Sequence, residues 1–179
     1  MKLSTKTIVT VGMFTAILSV LSILAVPMPS GVPVTLQTFA MAICGYVLGW
    51  KRGTAATLLY ILVGTVGIPV FAGMTGGPNR LVGPTGGFIW GFIFLTLLCG
   101  LAAMKSNIPC RIIIGLSGIA ICHILGALQY MVVASVPLPA SFLTVSVPYL
   151  IKDVISVLAA CFVALPVCRA LRMSTESFC

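Results

Sequence analysis

The chain has 179 residues, of which 60% are hydrophobic and 7% are charged, and its mean hydropathy is +1.22. Soluble domains are only about half apolar and roughly a quarter charged, so this composition excludes a soluble domain and predicts an integral membrane protein. The net charge of +8 does not indicate nucleic-acid binding, because the basic residues separate hydrophobic segments instead of clustering on one face.

Apolar segments separated by short connections follow one another along the whole chain. A membrane span needs roughly 20 mostly apolar residues, and about 17 suffice for a short one. A signal peptide over residues 1–26 is not indicated, because equally apolar segments follow and no small-residue cleavage site ends the run. We therefore predict a single all-α membrane domain over residues 1–179, a bundle of six transmembrane helices at residues 7–26, 34–50, 54–70, 85–104, 112–136 and 148–171.

The basic residues orient these predicted spans. If the chain crosses the bilayer six times, one side carries Lys2, Lys6, Lys51, Arg52, Lys105, Arg111, Arg169 and Arg172. The other side carries Arg80 and Lys152 alone. Because Lys and Arg in short loops mark the cytoplasmic side, we expect both termini to be cytoplasmic. The outer connections at residues 27–33, 71–84 and 137–147 are rich in Pro, Gly or Ser, and we expect a ligand to enter between them.

The segment at residues 73–87 is the longest run of Gly and Pro between two spans. Proline removes a backbone donor and glycine has a high entropic cost in a helix, so this segment cannot continue either span. Irregular backbone is not tolerated against lipid, and the segment must face water or pack against protein. It also contains the polar pair Asn79-Arg80, and we predict that it is the lid of a ligand site.

Small residues recur at four-residue spacing on three of the predicted spans. This spacing lets helices approach closely in lipid, where packing drives their association. Packing inside the bundle is the favoured interpretation of this pattern, with docking to another protein as the alternative. The docking face predicted for a partner is Gly12 and Ala16, because a terminal span can lie at the periphery; the other small residues are Gly45, Gly49, Gly53, Gly87 and Gly91.

Asp153 is the only aspartate of the chain and lies about one turn into the last predicted span. An ionisable group inside a span usually faces a cavity or a partner. A charge pair with Arg80 or Lys152 is one interpretation, and contact with a ligand is the favoured one. An ionised carboxylate only accepts hydrogen bonds, so it suits a ligand that offers N–H groups, such as a urea or an amide.

Other polar and aromatic residues of the outer half complete the predicted site. The cations Arg80 and Lys152 either hold an anionic ligand group or are simply solvated. Side chains able to donate and accept hydrogen bonds are Asn79, Gln37, Thr35, Thr38, Thr75 and Thr85, and the aromatic residues nearby are Phe71, Phe88, Trp90 and Tyr149. This combination favours a small, partly apolar molecule that carries a carboxylate.

Several chemistries are not indicated by the sequence. His123 has no second metal ligand nearby, so we expect a core or lipid-facing histidine instead of a metal site or a proton relay. The seven cysteines form no C-x-x-C pair and are expected to be unpaired thiols. There is no nucleotide-binding loop and no triad or carboxylate pair. We predict no enzymatic activity, no metal and no cofactor.

Three stretches together resemble the biotin transporter BioY family, the substrate-binding S components of energy-coupling-factor vitamin transporters. They are the stretches Val-Pro-Val-Thr-Leu-Gln-Thr-Phe at residues 32–39, Gly-Ile-Pro-Val-Phe-Ala-Gly at residues 67–73 and Gly-Pro-Thr-Gly-Gly-Phe at residues 83–88. The resemblance implies a six-helix bundle that binds biotin near its outer face. It also implies docking to a transmembrane coupling protein and two ATPase subunits, and it places Thr85 and Gly86 in a pocket wall at the start of span four.

The last third of the chain departs from the family pattern. The family typically shows a Pro-Gly-Asp-x-x-Lys-like motif at the start of span six, and Asp153 fits the family aspartate. Lys152 stands where the family has Gly, and Ser156 stands where it has Lys. Because residues 152 and 156 are one helical turn apart, we hypothesise that Lys152 or Arg80 replaces the missing lysine.

The sequence therefore predicts a biotin-binding transport subunit in the cell membrane. The residues predicted to bind the ligand are Asp153, Asn79, Arg80, Lys152, Gln37, Thr35, Phe71, Thr85, Gly86 and Tyr149. Two alternatives keep a transport role: an S component for another vitamin, and a solitary proton-coupled transporter that uses Asp153 or His123 as a relay. A structural subunit without a ligand is a third alternative, although such a role does not require a buried acid.

Overall fold

A computed structural model describes residues 4–27 and 33–170 of the chain. These residues form a helical bundle with one very short sheet. The elements in chain order are α1 (Thr5–Ile23), β1 (Ala25–Val26), β2 (Val34–Thr35), α2 (Gln37–Thr65), α3 (Asn79–Val82), α4 (Gly86–Ala103), α5 (Ile108–Ala134), α6 (Leu138–Val145) and α7 (Val147–Ala170).

Helix α2 is a hairpin of two antiparallel limbs. Gly49 has φ 75° and ψ 175°, a backbone conformation that breaks the helix and that glycine adopts without strain. In a straight helix, residues 16 apart lie about 24 Å from each other. Here the Thr57 hydroxyl lies 3.6 Å from the Met41 sulfur, so the chain reverses between them. The sequence predicted a reversal after residue 50 and a second limb that ends at residue 70. In the structure the turn is at Gly49 and the second limb ends at Thr65.

The other boundaries differ from the predictions mainly near the outer connections. Residues 25 and 26, predicted as the end of span one, are extended and pair antiparallel with residues 35 and 34. Two short helices, α3 and α6, lie in segments predicted as loops. Helices α4, α5 and α7 agree with the predicted spans to within a few residues. Of the predicted outer connection at residues 27–33, residues 28–32 lie outside the described part of the chain, as do Lys2, Arg172 and the last predicted residue of span six.

Glycines let the central helices pack at close range. A Cβ atom on Gly91 in α4 would lie 2.7 Å from the Cα atom of Cys122 in α5. One on Gly45 in α2 would lie 2.8 Å from the Cβ atom of Cys99 in α4. Both distances are far inside van der Waals contact, so these positions exclude any larger residue. Gly12 differs, because a Cβ atom there would meet nothing within 4 Å.

Four helices of the described residues, α1, α4, α5 and α7, are long and apolar enough to cross a bilayer. Each limb of α2 is shorter than the usual span of about 20 residues. Many large apolar side chains point outward from these helices, including Ile113 at 67% and Val132 at 69% exposure. Such a surface is costly in water and is typical of contact with lipid.

Candidate ligand-binding site

A cavity of about 770 Å³, including the part open to solvent, lies within the bundle. Ligand sites for small molecules commonly combine apolar walls with a few polar groups. The wall is formed by side chains from β2, α2, the segment after α2, and helices α4, α5 and α7. Its residues are Pro33, Thr35, Gln37, Thr38, Phe71, Ala72, Thr75, Arg80, Thr85, Phe88, Ile89, Phe92, Leu95, Ile119, Cys122, His123, Tyr149, Lys152 and Asp153.

The polar centre of this wall is the carboxylate of Asp153, which is only 7% exposed. Its Oδ1 atom is in contact with the Lys152 ammonium, and its Oδ2 atom lies 3.2 Å from His123 Nε2. The Lys152 ammonium also donates a hydrogen bond to the Thr35 carbonyl at 3.0 Å. A buried carboxylate requires such partners, because its charge is poorly solvated there. This cluster joins α7 to α5 and to β2.

His123 is a cavity residue that sequence reasoning missed. It is 2% exposed and lies on the cavity wall, so the lipid-facing interpretation is wrong and the core interpretation is incomplete. Its ring stands at 89° to the Phe88 ring, with 5.7 Å between the ring centres. One signal for His123 was present in the sequence. An acid inside a span, such as Asp153, requires a hydrogen-bond donor, and the single histidine of the chain is a candidate for that donor. The sequence does not show that residues 123 and 153 meet.

One side of the cavity is stiffened by a chain of hydrogen bonds between the limbs of α2. The Gln37 side-chain amide donates to the Tyr60 hydroxyl at 2.6 Å, and this hydroxyl donates to the Val70 carbonyl at 3.3 Å. The Phe71 ring stacks edge-on against Tyr60 with 5.5 Å between centres. The two wall residues Gln37 and Phe71 are therefore held in place by contacts behind the wall.

The structure places eight of the ten predicted binding residues on the cavity wall: Thr35, Gln37, Phe71, Arg80, Thr85, Tyr149, Lys152 and Asp153. Asn79 is exposed and lies off the wall, at the first residue of the short helix α3. Gly86 lies behind the wall, where a Cβ atom would collide with the Leu81 carbonyl oxygen. Trp90 is also off the wall and is 44% exposed.

The cation nearest to Asp153 is Lys152 and not Arg80. Arg80 is exposed and lines the cavity, and no ion pair of its side chain occurs among residues 4–27 and 33–170. Ser156, which stands at the position of the family lysine, donates its hydroxyl to the Lys152 carbonyl at 2.8 Å. The positive charges of the site therefore come from Lys152 beside the acid and from Arg80 at the exposed part of the wall.

Comparison with known proteins identifies the family. The profile of the BioY family matches residues 1–173. The biotin transporter BioY of Thermotoga maritima is 40% identical over 68% of this chain and 72% of its own length. The biotin transporter BioY2 of Lactococcus lactis subsp. cremoris is 34% identical over 99% of this chain and 97% of its own length.

A solved structure shares the fold. The crystal structure of the S-component for biotin from an ECF-type ABC transporter superposes with a TM-score of 0.81. The two sequences are 26% identical, and the match covers 97% of this chain and 96% of the other. The match extends through the helices that form the cavity. Together with the family profile over nearly the whole chain, it shows that this multi-pass membrane protein belongs to the BioY family.

Proposed function

We propose that this chain binds biotin in the cavity around Asp153 and is the substrate-binding subunit of an energy-coupling-factor transporter for biotin uptake. The relatives named above are biotin transporters, and the solved structure is a biotin S-component. The observation that carries the proposal is the single buried carboxylate in a largely aromatic and aliphatic wall, with an exposed cation further along it. The chain itself is a transport component and not an enzyme.

The chemistry of biotin fits the two ends of this wall. The ureido ring offers two N–H donors, which suit the acceptor Asp153. The bicyclic ring system is largely apolar and packs against aromatic residues such as Phe88 and Tyr149. The carboxylate at the end of the aliphatic tail is charged, and it is best placed near the exposed guanidinium of Arg80. Burying that carboxylate deeper would require a second desolvated charge.

Lys152 compensates in this proposal for the lysine that the family pattern places at residue 156. Its ammonium already contacts Asp153, and its hydrogen bond to the Thr35 carbonyl brings it across the cavity from α7 to β2. The Ser156 hydroxyl is occupied by the Lys152 carbonyl. In the ligand-free protein Lys152 therefore balances the charge of Asp153, and Arg80 remains for the tail of the ligand.

The bundle crosses the cell membrane six times in this proposal, with both termini in the cytoplasm. Helices α1, α4, α5 and α7 and the two limbs of α2 provide six segments. The short limbs of α2 cross if the bilayer thins locally or if the residues that flank them complete the span. The orientation rests on the eight basic residues that the six-span arrangement brings to one side.

The partners in this proposal are a transmembrane coupling protein and two ATPase subunits, which supply the energy for transport. The exposed face of α1 that contains Gly12 and Ala16 is the proposed docking surface for the coupling protein. Both residues are exposed, and a Cβ atom on Gly12 has free space around it. A helix of the partner can therefore approach closely at this position.

Equilibrium binding of labelled biotin to the purified chain tests the proposal most directly. We expect saturable binding that excess unlabelled biotin abolishes and that a panel of other vitamins leaves unchanged. Displacement by a different vitamin would instead assign the chain to that vitamin, and the absence of any saturable binding would refute the proposal. Uptake that stops when the proton gradient collapses, and that does not need the ATPases, would favour the solitary proton-coupled transporter.

A further inference from the structure

Three side chains of the described residues face the Asp153 carboxylate: Lys152, His123 and the hydroxyl of Thr38 on α2. Lys152 and His123 differ in how firmly they are held. The Lys152 side chain is 30% exposed and ends in an ammonium, a compact charge on a flexible stem. The His123 side chain is 3% exposed and belongs to a different helix, α5. The Phe88 ring packs perpendicular to the His123 ring and restricts its rotation. Phe88 is in turn packed against Gly126, where any Cβ atom would collide with its ring.

The contact between His123 and Asp153 determines which ring nitrogen carries the proton. An ionised carboxylate only accepts hydrogen bonds, so Nε2, 3.2 Å from Oδ2, must be the donor. In a neutral imidazole the other nitrogen, Nδ1, is then an acceptor. Nδ1 is buried and accepts no hydrogen bond from the described residues. The Nε2–H group is therefore the one donor that the neutral ring offers, and it faces the carboxylate.

Lys152 covers the side of Asp153 that a ligand needs. Its ammonium lies against Oδ1, and this oxygen is buried and accepts no well-oriented hydrogen bond from the described residues. A ligand N–H group can reach Oδ1 only if the ammonium moves. The Lys152 side chain is partly exposed and can turn toward solvent, whereas the His123 ring is buried and packs edge-on against Phe88. His123 is therefore the partner that remains on the carboxylate when a ligand binds.

We propose that His123 is a positioning residue: its Nε2–H holds Oδ2 and fixes the orientation of the Asp153 carboxylate, so that Oδ1 is presented to a ligand N–H group once Lys152 has moved away. This inference rests on the proposed function, because it assigns Asp153 to the N–H groups of a ureido ring. It assigns no proton transfer to His123. The residue acts on the ligand only through Asp153.

The test compares two substitutions of similar volume. In His123→Gln the side-chain amide nitrogen can replace Nε2 as the donor to Oδ2, whereas in His123→Leu the donor is lost. We expect the dissociation constant for biotin to rise about tenfold or more in the leucine variant and to stay within about threefold of the wild type in the glutamine variant. We also expect the ligand-free leucine variant to melt below the wild type, because Oδ2 loses its buried donor, and the glutamine variant to melt close to the wild type. A histidine needed only for the fold would lower the melting temperature of the leucine variant but leave its biotin affinity, measured well below that temperature, unchanged.

A second measurement does not depend on biotin. His123 is the only histidine of the chain, so ¹⁵N-histidine labelling of protein purified without a histidine tag gives the signals of one ring. We expect the Nε2–H tautomer with a bare Nδ1, and a shift of the Nε2 signal in the Asp153→Asn variant. An Nδ1–H tautomer would overturn the inference, as would equal biotin affinity of the leucine variant and the wild type. A wild type that shows this tautomer but binds no biotin would refute the proposed function alone and leave the His123–Asp153 geometry established.

Discussion

Replacement of Asp153 by asparagine is the sharpest single perturbation of the site. Asparagine keeps the size of the side chain but removes its charge and replaces one acceptor oxygen by a donor amide. A hydrogen bond to a charged group contributes about 1.5–3 kcal/mol, and about 1.4 kcal/mol corresponds to a factor of ten in affinity. We therefore expect the dissociation constant for biotin to rise about 10- to 150-fold, as measured by equilibrium binding of labelled biotin to the purified chain.

The structure also predicts that this loss is specific to binding. The Lys152 ammonium loses its counterion in the Asp153→Asn variant, but its side chain is 30% exposed and can turn toward solvent. We expect the ligand-free melting temperature to stay close to that of the wild type. A fold that depended on a fully buried ion pair would instead be strongly destabilised by the removal of one partner.

A double-mutant cycle with Lys152→Met separates the ligand from the internal ion pair. If Asp153 contacts the ligand directly, the asparagine substitution weakens binding whether residue 152 is lysine or methionine. If Asp153 serves only to hold Lys152, its removal has no further effect once the lysine is gone. Biotin affinity within twofold of the wild type in the Asp153→Asn variant would refute the assignment of this carboxylate to the ligand.

Three further predictions follow from the positions of single residues. Arg80→Gln should weaken biotin binding about two- to fivefold in low salt and less at high salt, because an exposed ion pair contributes at most about 1 kcal/mol and is screened. The matched control is Asn79→Ala, one residue away but off the cavity wall. An equal loss of biotin affinity in both variants would contradict the placement of Arg80 on the wall. Gly91→Leu should lower the melting temperature of the purified protein, because overpacking a core costs about 1–3 kcal/mol and Cys122 lies 2.7 Å from the added atom. Gly12→Leu should leave that temperature and biotin affinity unchanged but reduce co-purification with the coupling protein, and normal complex assembly would remove this face of α1 as the docking surface.

The helices were largely predictable because a membrane span has a simple local signature. A long, predominantly apolar run is sufficient to identify α4, α5 and α7, since the bilayer requires an internally hydrogen-bonded segment of limited length. The predicted turn of α2 lies a few residues after the observed one, because the basic pair Lys51-Arg52 is a stronger sequence signal than Gly49. The strand at residues 25–26 was missed because its pairing partner lies about ten residues further along the chain.

The candidate site was predictable where residue type alone carried the information. Asp153 stands out in a chain that has only two acidic residues, and Arg80 and Lys152 stand out because the other cations fall on the opposite side of the predicted spans. The neighbours Asn79 and Arg80 were predicted together, but only Arg80 lines the cavity. Adjacent residues point in different directions, and the sequence of a loop does not show how its short helix is rotated.

The sequence by itself determined that this chain is a membrane protein of the BioY family and that its one aspartate lies inside a predicted span. Composition, apolar run length and motif residues are local properties, and they need no knowledge of how the helices are arranged. Only the tertiary structure decided that His123 meets Asp153, that Lys152 reaches the Thr35 carbonyl, and that Gly86 packs behind the wall. These contacts join residues that are far apart in the chain, and they depend on how the helices cross and rotate, which close packing of many side chains sets together.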